Sequence, residues 1–527
     1  MIARAGSGPA GRRLPLAGGL LLGLSYLPGP LLALNLTAFV PLLWWLETNR
    51  DATSYRRLRA GLVFGATAHL VALHFMYSML EHSWLAALLY VGMTAALAAR
   101  IALEVALLGW LRRRTGISWA LLLPVVWVAF EWLQSRAGDL RLTGEHLAHT
   151  VAGHPFLVQF ADVTGPYGVT AALLAFQGLL LETIRGWGAA RGRRALAALL
   201  LLSAVLLAYD AWAWTRPEPG GDSLRVGLVQ PNVPLAVKHD RETRGEQWRK
   251  LVVLSRRAAE RGAELVVWPE SARPGALHHD LARPETYALP EVAALARDLG
   301  VPILAGVEYA RSRQDGDHDW YNAALAVDAA GQLLPAWGAK VYLVPFVEAT
   351  PFRGLFGPLV AGRGGEWHWL AGTFRPGPAS ALLPVAGTRV GVLVCYEQLF
   401  PDLARDLRLR GAEVGVVITN DAWFGRSLFQ PYQANALRLR AIENRIDFVR
   451  VANTGISGFV DRFGRYHQRT GLFEEAVEVR EVRLATRPTV YGLVGDAAAW
   501  LALGGLALAV LLALGRGNTR EPRASAC

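Results

Sequence analysis

The chain has 527 residues, of which 53% are hydrophobic, and its mean hydropathy of +0.26 is too high for an ordinary soluble protein. Its formal net charge is +11, but the arginines lie mainly in short stretches between apolar segments, and the sequence has no zinc-finger spacing or dense basic helix. We therefore do not expect nucleic-acid binding. The two cysteines, Cys395 and Cys527, are too few for a disulfide framework or a four-cysteine metal site.

Hydropathy divides the chain into four predicted parts. The first is a transmembrane bundle of about seven spans, and the second has the mixed composition of a globular catalytic domain. A final transmembrane helix and a polar cytoplasmic tail follow. The predicted boundaries are residues 1–215, 223–487, 488–515 and 516–527.

Eight apolar segments reach or approach the roughly 20 residues that a membrane-spanning helix needs. The first two are short and are separated by Leu27-Pro28-Gly29-Pro30, so they form either a helical hairpin or one broken segment. A cleavable signal peptide is the competing interpretation, and the second apolar run that follows at once argues against it. The predicted spans are residues 14–28, 31–46, 61–80, 84–110, 117–134, 163–184, 195–214 and 490–514.

Arginine clusters predict the orientation of these spans. They occur before the first span and after the second, fourth, sixth and eighth, whereas the alternate loops hold few basic residues. By the positive-inside rule, both termini are expected in the cytoplasm. The domain between spans seven and eight is then expected to face outward.

Three ionisable residues fall inside predicted spans. Arg100 and Glu104 are four residues apart on one helix and are expected to pair, while Glu131 lies near the outer end of another span. Charges at such positions either mark a functional site or stabilise the bundle, and the sequence leaves both interpretations open.

Strand-like and helix-like segments alternate in the second part, which predicts a layered α/β domain. In such domains reactive groups tend to lie where strands end. The predicted strands are 224–232, 264–268, 302–308, 389–395 and 413–419, and the predicted helices are 242–262, 289–299 and 431–446.

Three chemically suggestive residues occur near predicted strand ends or in the following loops: Glu270 in Trp-Pro-Glu, Lys340 eight residues before Glu348, and Cys395 after Val-Gly-Val-Leu-Val. A cysteine reacts as its thiolate, a glutamate can accept the thiol proton, and a lysine can stabilise an oxyanion. Each residue alone also has a plain structural explanation, as a small buried hydrophobe or a solvated charge. Their joint presence suggests acyl transfer through a thioester.

The motifs WPE, CYE and TNDAWFG, with Lys340 followed by VPF and Glu348, resemble those of the carbon–nitrogen hydrolase (nitrilase) superfamily. With seven predicted spans before the domain and one after it, the chain resembles the membrane branch of that superfamily, the apolipoprotein N-acyltransferases. The resemblance implies a bundle of about eight transmembrane helices and an αββα sandwich domain.

The resemblance also implies roles for individual residues. Glu270 would be the general base, Lys340 the oxyanion stabiliser and Cys395 the nucleophile. Further residues would shape, polarise or line the site, with core packing as the alternative for Trp423. These residues are Glu348, Tyr396, Glu397, Gln230, Asn232, Asn420 and Trp423.

The implied reaction moves an acyl chain from a membrane phospholipid, such as phosphatidylethanolamine, to a thioester on Cys395. The acceptor would be the N-terminal amine of an S-diacylglyceryl-cysteine apolipoprotein. The resemblance implies a monomer in the bacterial inner membrane that needs no metal or other cofactor.

Two features bear on substrate recognition. Residues 352–374, rich in Gly, Phe and Trp, are either a mobile interfacial lid or a plain surface loop. The chain also departs from the family pattern: Thr143-Gly144-Glu145-His146-Leu147 replaces a Gly-Phe-Pro-Trp segment, and Lys238-His239 stands where many members have tryptophan. These departures concern the lipid donor and the acceptor rather than the chemistry.

Two other functions are compatible with parts of the sequence. A membrane-tethered amidase or nitrilase would let water resolve the thioester, although a soluble substrate needs no lipid-lined approach. A transporter or scaffold would carry a silent outer domain, but the spans show no inverted repeat.

Overall fold

The computed structural model describes residues 13–29, 32–81, 84–141, 143–216, 221–238, 240–313, 317–352 and 374–516. They form two compact units. The helical unit comprises the described residues within 1–137, 141–215 and 496–527, and the α/β unit comprises those within 138–140 and 216–495.

The α-helices of both units are numbered in chain order. They are α1 (Leu14–Ser25), α2 (Leu32–Asn35), α3 (Val40–Thr48), α4 (Ser54–Ala72), α5 (Met76–Met79), α6 (Leu85–Thr115), α7 (Trp119–Ser135), α8 (Leu147–Thr150), α9 (Ala161–Arg185), α10 (Ala190–Thr215), α11 (Leu235–Lys238), α12 (Arg244–Glu260), α13 (Pro290–Leu299), α14 (Pro401–Leu409), α15 (Phe429–Asn444), α16 (Val490–Val494) and α17 (Ala497–Gly515).

Among the described residues, four helices are long and apolar enough to cross a membrane: α6, α9, α10 and α17. The other predicted spans correspond to shorter or more charged helices. The predicted span 31–46 is divided between α2 and α3. A described helix therefore lies at the position of each of the eight predicted spans. Among the described helices, four meet the length and composition required to cross a membrane.

Two predicted span boundaries were wrong. The helix predicted at 61–80 begins at Ser54, because Thr53 caps its first turn by accepting a hydrogen bond from the backbone N–H of Arg56 (3.4 Å), and the helix continues through its arginines. The segment predicted at 490–514 is interrupted at Gly495, whose φ of +66° separates α16 from α17. Both errors arise because backbone caps and breaks need not coincide with the ends of an apolar stretch.

The three ionisable residues inside the predicted spans, Arg100, Glu104 and Glu131, are bonded within the helical unit. As predicted, Arg100 pairs with Glu104 at 2.8 Å, and Glu104 is inaccessible to solvent. The carboxylate of Glu131 accepts a hydrogen bond from the backbone N–H of Leu147 at 2.7 Å. These contacts favour stabilisation of the bundle over a separate functional site.

The strands of the α/β unit form two sheets. The first has the order β13-β1-β2-β4-β5-β6, with β3 paired to β4, and the second has the order β12-β11-β10-β9-β8-β7. The strands are β1 (Ser223–Gln230), β2 (Leu265–Val267), β3 (Leu277–His279), β4 (Ile303–Ser312), β5 (His318–Val327), β6 (Gly338–Ala339), β7 (Ala381–Val385), β8 (Thr388–Val394), β9 (Val414–Thr419), β10 (Phe448–Ala452), β11 (Gly458–Val460), β12 (Tyr466–His467) and β13 (Ala476–Arg483).

Alternating side chains build four layers from these sheets. Val226 and Leu228 of β1 face a core shared with the second sheet, which contributes residues such as Val392 and Val416. The opposite face of the first sheet packs on α12 and α13, and that of the second sheet on α14 and α15. The predicted nitrilase-like αββα layering of this domain is confirmed.

All five predicted strands and all three predicted helices of this unit are present, with ends shifted by a few residues. Several paired strands were not predicted, among them β5 and β13. Strand β5 mixes polar residues at its start with a buried run at its end, so it lacks a continuous alternating pattern.

Close packing of α4 on α6 depends on two glycines. Gly61 and Gly65 lie one turn apart and leave no room for a side chain, since a Cβ atom on Gly61 would lie 2.6 Å from the Cα atom of Ala102. Small residues four apart allow two helix backbones to approach in this way. Gly92 of α6, by contrast, has no atom within 4 Å of the Cβ position.

We therefore predict opposite effects of one added methyl group at these positions. Gly61→Ala should destabilise the protein, because overpacking of about 1–3 kcal/mol outweighs the gain of about 1 kcal/mol in helix propensity. Gly92→Ala, the matched control, should keep or slightly raise the Tm in detergent. Equal Tm values for the two variants would contradict the packing described.

Candidate active site

Glu270 lies three residues after the end of β2 and is buried. One carboxylate oxygen accepts a hydrogen bond from Nδ2 of Asn322, and the other from the backbone N–H of Asn420, both at 2.6 Å. Gly306 of β4 makes space for this loop, because a Cβ atom there would lie 2.8 Å from the Cα atom of Glu270. The carboxylate is thus fixed in position before any substrate arrives.

Lys340 directly follows β6 and is 1% exposed. Its Nζ atom donates to Oε1 of Glu348 at 2.8 Å and lies 3.9 Å from Oε1 of Glu270. Burial disfavours the charged lysine, but the negative charges of Glu348 and Glu270 outweigh it and raise the pKa of Lys340. The side chain is therefore an ammonium that can donate to a developing oxyanion.

Cys395 begins a 3₁₀-helix directly after β8 and has a φ of +55°, a left-handed conformation that is uncommon outside glycine. Such backbone strain is found at functional sites, where the surrounding structure holds it. The thiol interacts with the side chain of Thr419 at the end of β9. The sharp turn therefore presents a buried cysteine at the carboxyl end of the second sheet.

The resting thiol is protonated. Burial, and next the negative charge of Glu270, raise the pKa of Cys395 well above its ordinary value, while Lys340 lowers it. Nζ of Lys340 lies 3.9 Å from Oε1 of Glu270, and both charges act electrostatically on the thiol, so the three groups are neighbours. A thiol of this kind needs a base to remove its proton as it attacks, and Glu270 is the carboxylate available for that step.

Glu397 joins the segments that follow Lys340 and precede Cys395. One carboxylate oxygen accepts hydrogen bonds from the backbone N–H groups of Val341 (2.6 Å) and Tyr342 (3.2 Å), and the other from that of Val394 (2.8 Å). Burial raises the pKa of Glu397 to about 7. Its contacts connect the loop that starts at the lysine with the strand that ends at the cysteine.

A buried network supports the cysteine turn from behind. Arg450 donates to Oε1 of Gln398 at 3.0 Å and to Oδ2 of Asp421 at 2.8 Å. Gln398 in turn donates from Nε2 to the carbonyl oxygen of Cys395 at 3.0 Å. Arg450 and Gln398 were not singled out in the sequence, because a buried arginine inside a strand has no local signature.

The residues predicted to line the site fall into two groups. Asn420 and Glu348 bond directly to the predicted triad, as described above. Gln230 is fully buried and donates to the carbonyl oxygens of Gly471 and Glu474 at 3.3 and 2.9 Å, so it supports a neighbouring turn.

The other three predicted residues, Asn232, Tyr396 and Trp423, each have different local surroundings. Asn232 has a φ of +50° and donates its backbone N–H to the carbonyl oxygen of Asn453 at 3.0 Å. Tyr396 packs edge-on against Phe400 at 4.9 Å, and Trp423 is half-buried in the 3₁₀-helix Asp421–Phe424.

Asn322 is the main residue that the sequence prediction missed. It bridges the two carboxylates of the pocket, Glu270 at 2.6 Å and Glu348 at 3.5 Å, and is 2% exposed. The available signal was a single polar residue at the start of the apolar run Ala-Ala-Leu-Ala-Val.

The predicted lid is almost entirely outside the described residues, and within the described ranges no cluster of His, Cys, Asp or Glu suits a metal ion.

Comparison with known proteins gives two family matches. Residues 225–489 match the carbon–nitrogen hydrolase family, and residues 18–179 match the apolipoprotein N-acyltransferase N-terminal domain. An amidase from Nesterenkonia sp. aligns with 53% of this chain and 95% of its own, at 21% identity and a TM-score of 0.35.

Curated relatives match along nearly the whole chain. The apolipoprotein N-acyltransferase of Geobacter metallireducens is 34% identical over 515 residues, which is 94% of each protein. That of Methylococcus capsulatus is 31% identical over 93% of each. The chain therefore belongs to the apolipoprotein N-acyltransferase family.

Proposed function

We propose that the protein is a phospholipid-to-apolipoprotein N-acyltransferase that works through a thioester on Cys395. Membership of the family supports this activity, since its relatives carry that name. The observation that supports the proposal is that Lys340 lies 3.9 Å from Glu270, and that both buried charges act on the buried thiol of Cys395. These groups supply a base, an oxyanion donor and a nucleophile.

In the first half-reaction, Glu270 accepts the thiol proton as Sγ of Cys395 attacks an ester carbonyl of the phospholipid. Lys340 stabilises the negative charge that develops on the carbonyl oxygen. The ester C–O bond then breaks, and Glu270 returns the proton to the leaving alkoxide. A thioacyl enzyme and a lysophospholipid result, with a phosphatidylethanolamine-like lipid as the proposed donor.

In the second half-reaction, the N-terminal amine of an S-diacylglyceryl-cysteine apolipoprotein attacks the thioester. Glu270 accepts a proton from the amine and gives it to the sulfur as the C–S bond breaks. The amide product leaves and the free thiol is restored. Since water competes with the amine for the thioester, the burial of the three groups favours transfer over hydrolysis.

The surrounding residues have supporting roles in this proposal. Glu348 holds the lysine, and the backbone of Asn420 holds the general base. Glu397 fixes the distance between the oxyanion donor and the nucleophile. Tyr396 and Trp423 are proposed to shape the substrate approach, with Gln230 and Asn232 in a more distant structural role.

The proposed location is the bacterial inner membrane. The arginine clusters support eight spans with both termini in the cytoplasm, and four helices meet the length and composition required to cross a bilayer. In this arrangement residues 1–215 and 488–515 form the membrane part and 516–527 the cytoplasmic tail. Residues 223–487 face outward and act on the outer leaflet as part of a monomer.

The first prediction concerns the thioester. Incubation with labelled phospholipid should leave a labelled acyl group on Cys395, and addition of a diacylglyceryl peptide should move it to the peptide amine. Cys395→Ala and Glu270→Gln should both reduce transfer to background, because the first lacks the nucleophile and the second the base. Mass spectrometry locates the label, and a Tm near that of the wild type shows that each variant is folded.

The outcomes of this assay also separate the alternative functions. Release of free fatty acid without peptide acylation would favour a hydrolase. Release of ammonia from an amide substrate would favour a tethered amidase. Wild-type transfer by Cys395→Ala would refute the proposed nucleophile.

The second prediction concerns the oxyanion. Removing one donor to an oxyanion typically costs a factor of about 10²–10³ in kcat, so Lys340→Ala should lose at least that much. The loss should appear in kcat rather than KM, because the oxyanion exists only after attack. Single-turnover formation of the thioester measures this step, and an unchanged rate would remove Lys340 from the mechanism.

The third prediction tests the link made by Glu397. Glu397→Gln replaces one acceptor oxygen by an NH₂ group, which cannot accept a bond from a backbone N–H. The segments that Glu397 joins should separate slightly, and a misplacement near 1 Å can cost about 10²-fold in rate.

Glu413 provides a matched control for this change. Its carboxylate accepts a hydrogen bond from the backbone N–H of Arg389 at 3.0 Å, at the opposite end of β8 from the cysteine. Glu413→Gln should therefore keep wild-type kcat. Equal activity of the two variants would contradict a special role for Glu397.

A further inference from the structure

Lys238 is a second buried lysine beside the proposed site. It ends the short helix α11 and is 8% exposed. Its Nζ atom donates to the backbone carbonyl oxygen of Glu270 at 3.0 Å. A lysine is seldom buried unless its charge has a use or a partner, and the mechanism above gives it neither.

The segment that carries Lys238 is held firmly. The carbonyl oxygen of the preceding residue, Val237, accepts hydrogen bonds from Oγ1 of Thr243 (2.9 Å) and Nε2 of Gln247 (2.8 Å). At the start of the segment, the side chain of Asn453 bonds to both the N–H and the carbonyl oxygen of Val233, at 2.9 and 2.7 Å. The position of the lysine is therefore fixed by the fold.

The charges around the thiol of Cys395 give a reason for a second ammonium group near it. The buried carboxylates of Glu270 and Glu397 and the partly buried carboxylate of Glu348 lie in or next to the site, and Lys340 is held between Glu270 and Glu348. Behind the cysteine turn, the charge of Arg450 is paired with that of Asp421. A surplus of negative charge disfavours a thiolate. An added ammonium reduces that surplus.

We propose that Lys238 is a positioning residue for the acyl transfer: it holds the loop of the general base through the carbonyl oxygen of Glu270, and its positive charge favours the thiolate of Cys395. This inference rests on the proposed function for its biological meaning. The reactivity of the thiol can nevertheless be measured without either substrate.

The proposal has a characteristic pH dependence. Burial lowers the pKa of Lys238 to about 8, although the facing charges of Glu270, Glu308 and Cys395 act in the opposite direction. The lysine therefore carries its charge below that pH and loses it as the pH rises further. An arginine in the same place would stay charged throughout.

The experiment measures the alkylation of Cys395 by iodoacetamide in the full-length protein in detergent, as a function of pH. A Cys527→Ser background leaves Cys395 as the single thiol. Lys238→Met removes both the hydrogen bond and the charge, Lys238→Gln keeps a donor for the carbonyl oxygen of Glu270 without the charge, and Lys238→Arg keeps the charge.

We expect Lys238→Met and Lys238→Gln to slow alkylation near neutral pH, where the wild-type lysine is charged, by about tenfold, and to approach the wild-type rate above pH 8. Lys238→Arg should alkylate at close to the wild-type rate. Its reactivity should also persist above pH 8, where the wild-type lysine loses its proton. Tm values show whether each variant is folded.

Each other outcome overturns the proposal. A wild-type profile for Lys238→Gln would mean that the charge has no influence on the thiol, and a wild-type profile for Lys238→Met would exclude both roles. An Arg variant as slow as the Met variant would likewise refute the charge effect. Alkylation needs no lipid or peptide. If the Lys238 variants alter alkylation but the wild-type protein transfers no acyl group, the result counts against the proposed function and not against the role of Lys238.

Discussion

The active site depends on one electrostatic arrangement, an ammonium held between two carboxylates in a region from which water is largely excluded. Lys340 lies 2.8 Å from Glu348 and 3.9 Å from Glu270. Removing one partner of such a buried set leaves an uncompensated charge, which is strongly unfavourable. The surrounding fold, including the glycine at position 306 and the bridging Asn322, serves to keep these charges at fixed distances.

The same arrangement keeps the proposed nucleophile in its less reactive, protonated form. Burial keeps the thiol of Cys395 protonated, so the reactive form is produced only as its proton moves to a neighbouring base. The strained turn at Cys395 and the hydrogen bond from Gln398 to its carbonyl oxygen hold the backbone of the cysteine in place.

Much of this organisation could be predicted from sequence, and the parts that could not share a physical cause. Short apolar strands and the residues that follow them are local features of the sequence. Glu270, Lys340 and Cys395 could therefore be identified together. Asn322 and Arg450 act through contacts with residues far away in the chain, and no local pattern marks them. Helix limits failed at Ser54 and Gly495 for a related reason, because capping and backbone conformation decide them rather than hydropathy.

The proposed catalytic residues are shared between the two sheets of the sandwich. Glu270 and Lys340 follow strands of the first sheet, whereas Cys395 follows β8 of the second sheet and lies later in the chain than both. During synthesis the base and the cation therefore emerge before the sulfur, and neither half of the sandwich is a working catalyst. In the proposed mechanism the three groups act together, so activity requires that the second sheet has docked on the first.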